Sequence, residues 1–150
     1  MTSVETRLNS IISEFADLDG REKLELLLDF ANRLPPLTAT YLERKASEDR
    51  RVHECQTPVY LWPEMTAEGA KLHAEVAPEA PTVMGFVAIL AEAVDGRPVD
   101  EVLSVRDDLL DRMGLSQVLG ILRTRGLRAI LGHVKRGVLA ASTPTGKDSP

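Results

Sequence analysis

Among the 150 residues there is a single cysteine, so no disulfide can form within the chain. An unpaired thiol persists best in a reducing compartment, which makes the cytoplasm the expected location. Aromatic residues are scarce at 4% and leave little for base stacking, and the formal charge of −5 repels nucleic acid and anionic membrane surfaces alike. No apolar run approaches the roughly 20 residues a membrane-spanning helix needs. Met1 to Asn9 carries Glu5 and Arg7 and lacks an apolar stretch before a cleavage site, so no secretory signal is expected. Glycine patterns for phosphate loops or dinucleotides are absent, as are internal repeats. With 43% hydrophobic and 27% charged residues, what is present has the composition of an ordinary globular protein.

The apolar periodicity changes twice along the chain. Thr2-Ser3-Val4-Glu5 has the form of a capping box, followed at helical spacing by Val4, Leu8, Ile11, Ile12 and Phe15. Asp19 with Glu22 predicts a second cap, ahead of a stripe of Leu24, Leu27, Leu28, Ala31 and Leu34 that Pro35-Pro36 stops. A polar connection over 38–51, with a helical turn near 41–45, leads to a region of period two. There Val59 and Leu61 alternate with Tyr60 and Trp62, and Leu72, Ala74 and Val76 alternate with Lys71, His73 and Glu75. Glu64 to Ala70 reads as the turn between these strands. Val52-His53 reads as a shorter strand, with Glu54-Cys55-Gln56 at a hairpin tip. Helical spacing returns at Pro81, with Val83, Phe86, Val87, Leu90 and Val94, then in short helices after Pro98 and over 107–113. The last helix aligns Leu127, Ile130, Leu131, Val134 and Val138, and no acidic residue falls between Ile121 and Leu139. Blocks of helix, strand and helix predict an α+β fold: a small antiparallel sheet of about three strands packed against helices. The expected organisation is one domain over residues 1–139 and a loose polar tail over 140–150.

Cys55 is the strong nucleophile candidate. A free cysteine is usually a small buried hydrophobe, yet Arg50, Arg51, His53, Glu54 and Gln56 crowd this one and Pro58 follows. That setting is a loop, where chemistry concentrates.

The segment Val52-His53-Glu54-Cys55-Gln56-Thr57-Pro58-Val59-Tyr60-Leu61 resembles the cysteine loop of SufE-type sulfur-acceptor proteins, V-x-G-C-Q-S-x-V-W-L. Asn32-Arg33-Leu34-Pro35 is similar to the L-P stop of that family's second helix. Ala77 to Leu90, with Val83 and Gly85, resembles its D-x-x-x-I-x-x-G-L segment. Leu122-Arg123-Thr124-Arg125-Gly126-Leu127 resembles its R-x-x-G-L stretch. In order and spacing the likeness runs from about Leu8 to Leu139. It implies a SufE/IscU-like fold and a carrier that takes sulfane sulfur from a SufS-type cysteine desulfurase. The carrier would deliver that sulfur to an iron–sulfur cluster scaffold such as the SufBCD complex, stimulating the desulfurase as it does so. The family's acceptor cysteine falls on Cys55 and its arginine on Arg123. Pyridoxal phosphate would sit on the desulfurase, with no cofactor on this chain and no turnover of substrate by the chain alone.

Physical chemistry agrees with those assignments. A persulfide moves when an acceptor thiolate attacks its outer sulfur and expels the donor thiolate, so the acceptor needs access and nearby positive charge. Arg123, near the positive end of a long helix, is placed to supply that charge. Two departures stand out: Glu54 replaces the family glycine and Tyr60 the usual tryptophan. A carboxylate beside the thiol opposes thiolate formation, and His53 or Arg50-Arg51 are the candidates to offset it. His53 with Cys55 makes two ligands, short of a zinc site. Gln56 orients the thiol or caps the loop. One thiol cannot hold an iron–sulfur cluster within a monomer. A docking module that regulates a desulfurase without accepting sulfur is the alternative reading.

Overall fold

The computed structural model describes residues 2–142. Two helices open it, α1 (Val4–Ala16) and α2 (Gly20–Ala31). Asp19 caps α2 as its spacing predicts, accepting from the Glu22 amide while Glu22 accepts from the Asp19 amide. At α1 the cap is Ser3, one residue later than the expected box, and it accepts from the Thr6 amide at 3.1 Å. The stripe of α2 is also rotated. Phe30 is buried while Leu28 is 40% exposed, because α2 packs on Phe15 of α1 through a stacked Phe15–Phe30 pair.

α3 (Ala39–Ser47) is a full helix in place of the one expected helical turn. β1 (Val59–Thr66) and β2 (Gly69–Val76) then form an antiparallel ladder from Val59↔Val76 to Thr66↔Gly69. The expected long turn shrinks to Ala67-Glu68, since Thr66 Oγ1 accepts from the Glu68 amide and Gly69 takes φ +110°. The sheet has two strands, not about three. The segment expected as a third strand makes one antiparallel bridge, Arg51↔Tyr60, bracketed by Val52 N–H to Val59 O and Leu61 N–H to Arg50 O. α3 ends just before it and a turn opens just after it, which leaves room for one exchange of hydrogen bonds.

Five helices follow: α4 (Pro81–Val94), α5 (Val99–Leu103), α6 (Leu109–Arg112), α7 (Ser116–Leu119) and α8 (Ile121–Ser142). α4 is the central element, buried at Val83, Phe86, Val87, Leu90 and Val94 as its spacing predicts. Gly85 lets α2 approach it, for a Cβ there would sit 2.2 Å from Leu27 O. α8 lies on β1, and Gly137 makes room for Pro63. Antiparallel strands packed against helices confirm the α+β class. α8 runs to Ser142; the remainder of the expected tail lies outside the described residues. No helix among these is long and apolar enough to cross a membrane.

Candidate functional site

Cys55 sits at the tip of the 52–58 connection between the Arg51 bridge and β1. Its amide donates to Val52 O at 3.1 Å, which closes a tight turn before the chain re-enters the sheet. Although the surrounding sequence is polar, the residue is only 6% exposed. Space for it comes from α8: a Cβ on Gly126 would lie 3.2 Å from Cys55 Sγ and 3.5 Å from its Cα. The thiol therefore rests against bare helix backbone at that point.

Beside the thiol lies an open cavity of about 480 Å³. The Cys55–Thr57 stretch forms one wall and the Leu119–Arg123 turn, with Gly126, forms the other. Gly120 takes φ +85°, a conformation that favours glycine, and this lets α7 break into α8 at the cavity. Thr124 Oγ1 donates back to Gly120 O at 2.7 Å and holds the new helix start. The first amides of α8, on Ile121, Leu122 and Arg123, have no carbonyl acceptor within the helix, so the positive end of its dipole meets the cavity. At the rim, Ile121 and Leu122 are 78% and 66% exposed.

Of the residues singled out in the sequence, Cys55, Gln56 and Arg123 line this one cavity. Gln56 and Arg123 are exposed. Arg123 Nη1 donates to Thr82 Oγ1 at 2.6 Å, which steadies the guanidinium at the start of α4. His53 is turned elsewhere. It is exposed, and its Nε2 meets Asp49 at 2.9 Å. Arg50 likewise goes to Glu48, at 2.9 Å.

Sequence reasoning offers His53 or the arginine pair as the counterweight to Glu54; among the described residues that role falls to His133. His133 Nε2 lies 3.1 Å from Glu54 Oε1. The Glu54 carboxyl is held below its ordinary range, first by its own backbone amide, then by His133, with Arg136 adding charge. In the sequence Gly126 is one letter of a motif, and His133 stands remote from the loop. The signal that links them is helical spacing: seven residues apart (133 − 126 = 7), they share one face of α8. Among the described residues, no group of three or more His, Cys, Asp or Glu side chains comes together as a metal site.

Comparison with known proteins places these features in a family. The model described as "SufE: Fe-S metabolism associated domain" matches residues 9–138. An uncharacterized SufE-like protein of Mycobacterium tuberculosis is 38% identical over 135 residues, covering 89% of this chain and 92% of that protein. One from Rhizobium meliloti is 28% identical over 134 residues, covering 87% and 93%. Among solved structures, the solution structure of a hypothetical protein from Thermus thermophilus superposes with a TM-score of 0.79 at 30% identity, over 96% of this chain and all of that one.

Proposed function

The chain belongs to the SufE family, whose domain is associated with Fe-S metabolism, and from that premise we propose that it is a sulfur carrier with Cys55 as the acceptor. In this reading the Cys55 thiol gives up its proton, and its thiolate attacks the outer sulfur of a persulfide on a SufS-type cysteine desulfurase. The S–S bond of the donor breaks, the donor sulfur leaves as a thiolate, and a new S–S bond joins the transferred sulfur to Cys55. No net oxidation occurs. Onward delivery goes to an iron–sulfur cluster scaffold such as the SufBCD complex. Residues 1–139 act as one unit, in the reducing cytoplasm.

One observation carries the proposal: the chain's sole cysteine borders a cavity walled by the start of α8 and by Arg123. A guanidinium and three helix-start amides without a partner among the described residues are the groups that stabilise a sulfur anion, whether thiolate or terminal persulfide. The cavity is open on one side, as a donor carried by another protein requires. Exposed Ile121 and Leu122 at its rim supply apolar area for that protein to cover. Burial of Cys55 between encounters would shield a bound persulfide from small reductants.

That same burial favours a second reading, in which the chain docks on a desulfurase and alters its activity without accepting sulfur. The two part on one experiment. The purified chain is mixed with a desulfurase and cysteine, and its intact mass is taken. Gain of one sulfur atom on the peptide bearing Cys55, reversed by reductant, is the expected result. Cys55→Ser should abolish both the gain and the stimulation; a Cys55→Ser chain that stimulates as well as wild type establishes the docking module instead.

A further inference from the structure

We propose that Glu54 and His133 form a releasable tie that keeps Cys55 covered, which makes both of them positioning residues for the thiol. Among the described residues, the stretch 53–57 makes one hydrogen bond to α8, between Glu54 Oε1 and His133 Nε2 at 3.1 Å. Otherwise it is held by two contacts internal to the loop, Cys55 N–H to Val52 O and the Glu54 carboxylate on its own amide, by His53 reaching back to Asp49, and by the packing of Cys55 against Gly126. Glu54 and Cys55 are adjacent, so the side chain that is tied and the side chain that is covered ride on the same few backbone torsions. Releasing the first frees the second from Gly126.

The surroundings leave His133 to Glu54. A hollow of about 260 Å³ beside it is lined by Asp49, Arg50 and Arg51 from the segment before the loop and by Arg136 from α8. Asp49 is engaged by His53 and Arg50 by Glu48, so Glu54 is the carboxylate within reach of His133. Both members are partly exposed, at 33% for the His133 side chain and 54% for that of Glu54. Pairs of that exposure are weak: they shift a local equilibrium by about two- to five-fold, not by orders of magnitude. A tie of this size biases the loop towards the covered position and still yields to a docking protein. Its place in function rests on the acceptor reading above, where covering protects the persulfide and opening admits the donor. The tie itself stands apart from that reading.

The test needs no partner. Alkylation of Cys55 by iodoacetamide is followed by intact mass on the full chain, for wild type, Glu54→Ala, His133→Ala and the double variant. Each single change should speed alkylation about two- to five-fold, and the double variant should be no faster than the faster single, because both remove one contact. His133→Lys, which places a hydrogen-bond donor in reach of Glu54, should return the rate towards wild type. The sign for His133→Ala is decisive. If Glu54 acted on the thiol by charge alone, removing its partner would leave the carboxylate uncompensated and slow the reaction. Slower or unchanged alkylation, or additive gains in the double variant, would overturn the tie. So would a fall in urea midpoint large enough to expose the thiol through unfolding. Sulfur loading by a desulfurase is measured on the same proteins: loss of loading with the alkylation pattern intact sinks the acceptor reading and spares the tie.

Discussion

The outer face of the sheet and the Cys55 loop use the same residue types to opposite ends. On the outer face, α3 lays Tyr41 flat on His73 at 4.2 Å and edge-on to Trp62 at 5.6 Å. Arg44 bridges Glu48 and Glu64, Lys45 pairs with Glu75, and Trp62 Nε1 donates to Glu48. Each of these cations has its acid. The Tyr41 phenol is pushed up to about 12, by burial first and then by Glu64. Around the loop the balance is different. Arg123 has a hydroxyl partner, and the guanidinium groups of Arg51 and Arg136 have no hydrogen-bond partner among the described residues. Large apolar side chains stand in solvent beside the Cys55 cavity. Polar groups satisfied by one another hold a fold together, whereas groups left over are available to a ligand.

Two glycines, one in the α2–α4 core and one under the loop, extend that contrast between packed fold and site most strongly. At Gly85 an added methyl meets the Leu27 carbonyl at 2.2 Å, which is backbone and cannot yield. Gly85→Ala should therefore cost about 1–3 kcal/mol, read as a lowered urea midpoint. At Gly126 the obstacle is Cys55 Sγ at 3.2 Å, a side chain on a loop. There the alanine gains about 0.5–1 kcal/mol of helix propensity, so the midpoint should hold while alkylation of Cys55 accelerates. Equal losses of stability at both sites would erase the distinction between the regions.

Exchanging the arginines is the next step down in size. Arg123→Ala should slow sulfur loading about ten-fold, the effect of losing one charged contact of about 1.4 kcal/mol, with little change in thermal midpoint. Arg44→Ala should do the reverse, lowering the midpoint by a few degrees and leaving loading intact.

Acid titration is the mildest of these tests. Arg44 and then Arg50 hold Glu48 down to about 2, and Arg97 does the same for Glu101. Both carboxyls lie below their usual 4.5 in the folded chain, so the stability they contribute is complete above that value. It drains away as pH falls from about 5 towards 2. Urea midpoints across that range should decline, and Glu48→Gln should flatten part of the slope; an unchanged slope would remove Glu48 from the network.

Much of this was legible in the residues. The Asp19–Glu22 box, the stripes of α4 and α8 and the alternation of β1 and β2 are local patterns, and they survive folding because each is enforced within a few residues of itself. Departures arose where a distant element decided. Phe30 turned inward because α1 offered Phe15, and the third strand dwindled to a bridge because α3 took up the chain before it. At the site, the loop and its cysteine, Gln56 and Arg123 could be named in advance from a likeness of motifs. That Glu54 answers to His133 could not, because 79 residues separate them (133 − 54 = 79).

By itself the sequence determined the chemistry available: one thiol, a long helix without acids, and strands of period two. Tertiary structure alone decided what that thiol touches. Whether Cys55 is covered depends on Gly126 presenting bare backbone and on α8 beginning just after Gly120, and such contacts between remote segments follow from packing, to which local periodicity is blind.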